Sequence, residues 1–105
     1  MGAAVLAGGT IFTGTNVENA SYPVSICAER VAAAQAVAAG HRRIEAVAVR
    51  GPGEEPVPPC GMCRQFLSEF NQEMVVVSEA DGGGRLVEPL SALLPEAFGP
   101  ANLDR

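Results

Sequence analysis

The chain has 105 residues, enough for one domain and too few for two. Apolar residues at 48 % against 18 % charged exclude a disordered polymer and leave a core built mostly of Ala, Val and Leu, since there are four Phe, one Tyr and no Trp. The net charge is −5, and the seven Arg are scattered without a basic stripe. Binding to a polyanion requires many phosphates to be neutralised, so no nucleic acid partner is expected, and a small neutral or cationic ligand fits better.

No apolar run approaches the ~20 residues that cross a bilayer, so no membrane partner is expected. Nor does a charged, apolar and cleavable leader open the chain. The three cysteines, Cys27, Cys60 and Cys63, are an odd set and a poor disulfide framework. Reduced thiols and a cytoplasmic setting are expected.

Ala3 to Ala7 and Ile11 to Val17 read as two strands of a hairpin about Gly8-Gly9-Thr10. Met1 stands directly against the first strand, which is expected to be an uncovered edge. After the break at Ser21-Tyr22-Pro23, Cys27 to Ala39 reads as a helix closed by Gly40, with His41, Arg42 and Arg43 at its negative end. This helix is apolar nearly all round and is expected to be covered on more than one side.

Ile44 to Val49 is a buried strand, and the Pro- and Gly-rich Gly51 to Pro59 is a loop. Cys60 to Phe70 is a second helix with Met62, Phe66, Leu67 and Phe70 on one face. Met74 to Val77 is a strand, Asp81 to Gly84 a turn, Arg85 to Val87 a weaker strand, and Pro89 to Phe98 a short closing helix. The order β-β-α-β-α-β-β-α predicts a single domain over 1–105: a three-layer α/β/α sandwich around a mixed, about five-stranded sheet.

Cys60 and Cys63 are three apart in a helical turn and face the same way, so two thiolates there can hold one metal. Cys27 opens a different helix, and a helix start favours the thiolate form. Two helix starts meeting at one point give three thiolates and a fourth, open position, the signature of a catalytic zinc site. A closed structural site would need His41, the only histidine, as its fourth ligand. Glu29, two residues past Cys27, can reach the open position as a general base without being a ligand. A Cys or His followed two residues on by Glu, then a distant P-C-x-x-C, is the pattern of zinc deaminases. Here it is Cys27-Ala28-Glu29 and Pro59-Cys60-Gly61-Met62-Cys63.

Three stretches together resemble cytidine deaminases of the small, homotetrameric type: Asn16 to Tyr22, Cys27-Ala28-Glu29-Arg30, and Pro59-Cys60-Gly61-Met62-Cys63-Arg64-Gln65. The closing Leu93 to Pro100 is similar to that family's tail. The resemblance implies one Zn2+ per subunit held by Cys27, Cys60 and Cys63. It makes Glu29 the proton shuttle in hydrolytic deamination of cytidine and 2′-deoxycytidine. Asn16 and Glu18 would bind the ribose 3′-hydroxyl, the Ala28 amide the pyrimidine 2-oxygen, and the Pro58 carbonyl would lie near the exocyclic amine. Phe98 would reach a neighbouring subunit's site, and Arg30 would hydrogen-bond the zinc thiolates. The resemblance also implies an N-terminally truncated member, lacking the family's first helix. Two other readings are a deaminase of a related aminopyrimidine nucleoside such as blasticidin, and an inactive zinc-binding relic.

Overall fold

The structure is a computed structural model and describes residues 1–103. Strands β1 (Gly2–Ala7) and β2 (Thr10–Thr15) are followed by helix α1 (Ala28–Ala38), strand β3 (Ala46–Gly51) and helix α2 (Gly61–Ser68). Strands β4 (Val75–Ala80) and β5 (Arg85–Pro89) and the short helix α3 (Leu90–Leu93) complete the order. The sequence predicts this succession.

The sheet has the order β2-β1-β3-β4-β5. Only β3 and β4 run parallel, joined through α2, and the remaining neighbours are antiparallel. The mixed five-stranded sheet of an α/β sandwich is therefore present. β1 is not an edge: it lies between β2 and β3, because β3 returns to pair with it rather than extending the far side. The β1–β2 turn is made by Gly8 and Gly9, with φ of 57° and 78°, the left-handed pair that matches hairpin twist.

Alternation decides which face is packed. Ala3, Val5, Ala7, Val47, Val49 and Val76 are buried, and they meet Ala28, Ala32, Ala33 and Ala36 of α1 and Leu67 of α2 in one cluster. Both long helices therefore lie on the same face of the sheet, so the described residues supply the sheet and one helix layer of the three layers expected. On the opposite face Ile11, Ala48, Val75 and Val87 are exposed, flanked by Arg50, which bonds Asp81 at 2.9 Å. The outer side of α1, at Ala34 and Ala38, is likewise exposed, so within one chain the helix is covered along one stripe only.

The ends of the helices follow local rules. Beyond Ala39, Gly40 takes φ 99°, His41 N–H donates to the Ala36 carbonyl at 3.0 Å and Gly40 N–H to Val37 at 2.9 Å. These two bonds satisfy carbonyls the helix leaves open. The closing helix expected over Pro89–Phe98 stops at Leu93. Pro95 disfavours the helical conformation for Leu94, which sits at φ −141° and ψ 69°.

Alanine lets α1 lie close to the sheet, and Gly14 takes this furthest. A Cβ there would stand 2.6 Å from the Ala32 nitrogen and 2.7 Å from the Ala28 carbonyl oxygen. Both are backbone atoms that no side-chain rotation can move aside. Gly14→Ala is expected to destabilise the fold by about 1–3 kcal/mol through overpacking, read as a lowered denaturation midpoint.

Candidate metal centre and active site

The C-terminal ends of β2 and β3 and the N-terminal end of β1 lie at one edge of the sheet, since Gly2 pairs with both Thr15 and Arg50. Both long helices start at this edge. Cys27 is the N-cap of α1 and Cys60 the N-cap of α2, each in an extended conformation with no side-chain cap bond. Their thiols are consequently free for other chemistry. Cys63 lies one turn into α2 and is fully buried.

The Cys27 and Cys60 sulfurs are 4.0 Å apart, and all three cysteine sulfurs lie within 4.8 Å of one another. Tetrahedral zinc with ~2.3 Å bonds to sulfur separates its ligands by about 3.8 Å, so the trio fits that ion with little adjustment. His41 plays no part: its ring packs against Phe12, centroids 5.5 Å apart, beyond the other end of α1. The cluster therefore has three protein donors and an open side.

Glu29 lies beside the cluster, lining a cavity with Cys27 and Cys60. It is 4 % exposed, and its Oε1 has no hydrogen-bond partner among the described residues. A buried carboxylate oxygen without a partner is costly unless something outside the chain satisfies it. A metal with its water, or a substrate, meets that need.

The thiols differ in proton affinity. Burial opposes the Cys60 thiolate, but the Cys63 amide, the neighbouring thiols and the Met62 amide outweigh it and hold its pKa below the usual cysteine value. The helix N-terminus thus acts as expected on its capping cysteine. Cys63 is pushed strongly upward by burial, then by Cys60 and the Glu29 carboxylate. Arg30 spans the outside of the cluster: its guanidinium donates to the Ser25 carbonyl at 3.2 Å and reaches the Cys27 sulfur at 4.0 Å. Burial would lower its pKa, but contact with Cys27 and Cys63 outweighs this and raises it.

A cavity of about 300 Å³ opens over the cluster, at the lower end of the range for small-molecule sites. Asn16, Glu18, Cys27, Ala28, Glu29 and Cys60 line it, so the structure brings these sequence-predicted residues together. The run carrying Asn16 and Glu18 is folded back by mutual backbone bonds between Val17 and Ile26, at 2.8 and 2.9 Å. The Asn16 side-chain amide donates to Glu18 Oε1 at 2.7 Å, which orients both. Phe98 is not part of this wall; it is 56 % exposed, with its carbonyl accepting from Gln65 at 2.8 Å. Met1, Ser25, Val49 and Val57 also contribute to the lining, and sequence reasoning did not single them out. Val49 carried a signal, as the last inward residue of β3 at the edge where both helices begin.

Residues 1–79 match the family model described as the cytidine and deoxycytidylate deaminase zinc-binding region. The chain belongs to this family. A cytidine deaminase of Sporosarcina psychrophila is 44 % identical over 105 residues, covering 98 % of this chain and 77 % of the relative. The crystal structure of cytidine deaminase from Burkholderia pseudomallei superposes with a TM-score of 0.87 at 43 % identity, covering 92 % of this chain and 80 % of that one. That from Mycobacterium tuberculosis gives 0.71 at 31 %, covering 93 % and 77 %. The chain is thus a zinc-binding deaminase domain with one Zn2+ per subunit, and its three-cysteine cluster is positioned to bind a metal ion.

Zinc requires thiolates, whereas burial pushes the Cys63 thiol pKa upward. Loading metal-free protein with zinc near neutral pH is expected to release about two to three protons per ion, read by an indicator in weak buffer. Affinity for zinc is expected to fall as the pH is lowered.

Proposed function

We infer that the chain is a zinc-dependent hydrolase that converts cytidine to uridine and ammonia. The observation that carries the reading is the unpartnered, buried Glu29 carboxylate beside a three-thiol cluster, in a chain of the cytidine deaminase family.

Cys27, Cys60 and Cys63 hold the zinc, which when bound makes the attacking water acidic enough to react near neutral pH. Glu29 accepts a proton from that water and delivers it to N3 of the pyrimidine. Water's oxygen bonds to C4, Glu29 passes the second proton to the exocyclic nitrogen, and ammonia leaves. Burial keeps the Glu29 carboxylate out of bulk water, which suits a group that must hold and release a proton within one turnover.

Around this centre the Ala28 amide meets the pyrimidine 2-oxygen, and the Pro58 carbonyl lies near the exocyclic amine. Asn16 and Glu18 bind the ribose 3′-hydroxyl; their mutual hydrogen bond at the cavity wall supports this pairing. A 3′-hydroxyl contact leaves the 2′ position unread, so 2′-deoxycytidine is taken as well. Three thiolates on a divalent ion leave a net charge of −1, which reduces the acidity of the water, and Arg30 offsets it.

The reading extends to a homotetramer in the cytoplasm, in which Phe98 packs on the base in a neighbouring subunit's site. Its exposure and that of the outer side of α1 support such an assembly. Among the described residues, no helix is long and apolar enough to cross a membrane.

The test is the loss of cytidine absorbance by zinc-loaded protein. Glu29→Gln is expected to keep its zinc and lose turnover by about 10²–10⁴-fold, the usual share of general acid–base catalysis. A Glu29→Gln variant with undiminished turnover overturns the assignment. Arg30→Gln is expected to lower turnover roughly ten- to hundredfold, as for loss of a charged hydrogen bond. The acid limb of its pH profile should move to higher pH, because removing the cation makes the water harder to deprotonate. An unchanged profile excludes Arg30 from that role.

A further inference from the structure

Among the described residues, two buried side chains are polar or charged: Glu29 and Ser78. The first serves the chemistry. The second sits on β4 between Val76 and Ala80, on the packed face of the sheet, where alternation asks for an apolar residue and where Ser78 is 1 % exposed. A buried hydroxyl is costly to desolvate and is retained where it has a bond to make. Ser78 Oγ donates to the carbonyl of Val57 at 2.6 Å.

Val57 belongs to the segment between β3 and α2, which carries prolines at 52, 56, 58 and 59. Proline has no N–H, so this stretch has few backbone donors with which to bond a neighbouring strand. Instead its carbonyls accept. Gly53 and Glu54 receive the amides of Gly82 and Gly84 at 2.7 and 3.1 Å. Those two bonds fasten the half of the segment away from the site. Next to the site no backbone donor takes their place. The Val57 carbonyl is held by Ser78, and the Pro59 carbonyl by Arg64 Nε at 2.7 Å, with Arg64 Nη1 donating also to the Leu93 carbonyl at 3.0 Å. Val57 and Pro58 line the cavity, as does Cys60 just beyond Pro59.

We propose that Ser78 is a positioning residue of the substrate site: through the Val57 carbonyl it fixes the proline-rich cavity wall against which the nucleoside binds. It touches neither zinc ligand nor substrate. The proposal rests on the deaminase reading for its ligand, though not for the bond itself.

The experiment compares zinc-loaded wild type with Ser78→Ala, Ser78→Thr and Ser78→Cys. Ser78→Ala is expected to keep one zinc per chain and raise KM for cytidine about fivefold, the equivalent of one net hydrogen bond, while kcat changes by less than about twofold. Backbone order parameters at Val57 and Cys60 should fall from about 0.85 toward about 0.6, with those of β4 unchanged. Ser78→Thr, which keeps the hydroxyl, should restore both, and Ser78→Cys, close in size but a weak donor, should lie between. A Ser78→Ala variant with wild-type KM and wild-type order at Val57 and Cys60 overturns the proposal, as does a folded Ser78→Thr variant as impaired as Ser78→Ala. Should Ser78→Ala fail to fold, Ser78→Cys decides: wild-type KM and order in it overturn the proposal. A wild-type chain that binds zinc and leaves cytidine intact counts against the deaminase reading instead, and the order parameters then decide the positioning role on their own.

Discussion

Three sulfur atoms from two helices must lie within bonding distance of one ion, and most of the architecture follows from that. A helix start offers an extended capping residue and several amides without partners, so a cysteine placed there is both exposed to the ion and eased toward its thiolate. Two such starts converge only if the strands feeding them finish at the same edge of the sheet. The register of β1 against β2 and β3 arranges this, bringing Thr15 and Arg50 opposite the same residue, Gly2. The parallel β3–β4 pair adds the crossover that returns α2 to the face already occupied by α1.

The surroundings of the cluster are graded in how firmly they are fixed. Cys63 lies inside the core and cannot move without disturbing it. Cys60 is exposed, and Cys27 lies between these extremes. Cations, amides and hydroxyls from three separate elements converge on this edge, and among the described residues two buried side-chain atoms, Glu29 Oε1 and Arg30 Nε, are left without a partner, of which the carboxylate belongs to a residue that lines the cavity. A buried acceptor left open on a cavity wall directs a ligand that can donate to it.

Much of this is legible in the chain itself. Cysteine spacing points to the cluster because helix periodicity sets Cys60 and Cys63 on one side of a turn, whereas Glu29, two residues past Cys27, is picked out by its place at a helix start and by the deaminase pattern. Element order is equally local: Gly8-Gly9, Gly40 and Asp81 to Gly84 mark turns by backbone conformation alone. What resists reading is whatever depends on pairing partners. β1 looks like an edge from its position in the sequence and is internal in space, since β3 chooses its neighbour only after folding. Leu93 to Phe98 resembles a helix by composition, yet Pro95 stops it. Ser78 looks like an ordinary polar residue in a strand, because its reason for being there, the Val57 carbonyl, lies 21 residues away. Which side of the sheet the helices cover is likewise set by chain crossing and not by any single segment's pattern.

The alanine face of α1 and the bare Cα of Gly14 were described as matters of packing. They also make the reaction centre a gauge of interlayer thickness. Cys27 and Glu29 ride on the helix, whereas the proline wall opposite is tied to the sheet through β4, so the width of the cavity is the separation of the two layers measured at one end. A methyl group added at Gly14 acts as a shim between the two layers. The small residues of α1 thereby bear on the bore of the cavity as well as on the solidity of the fold.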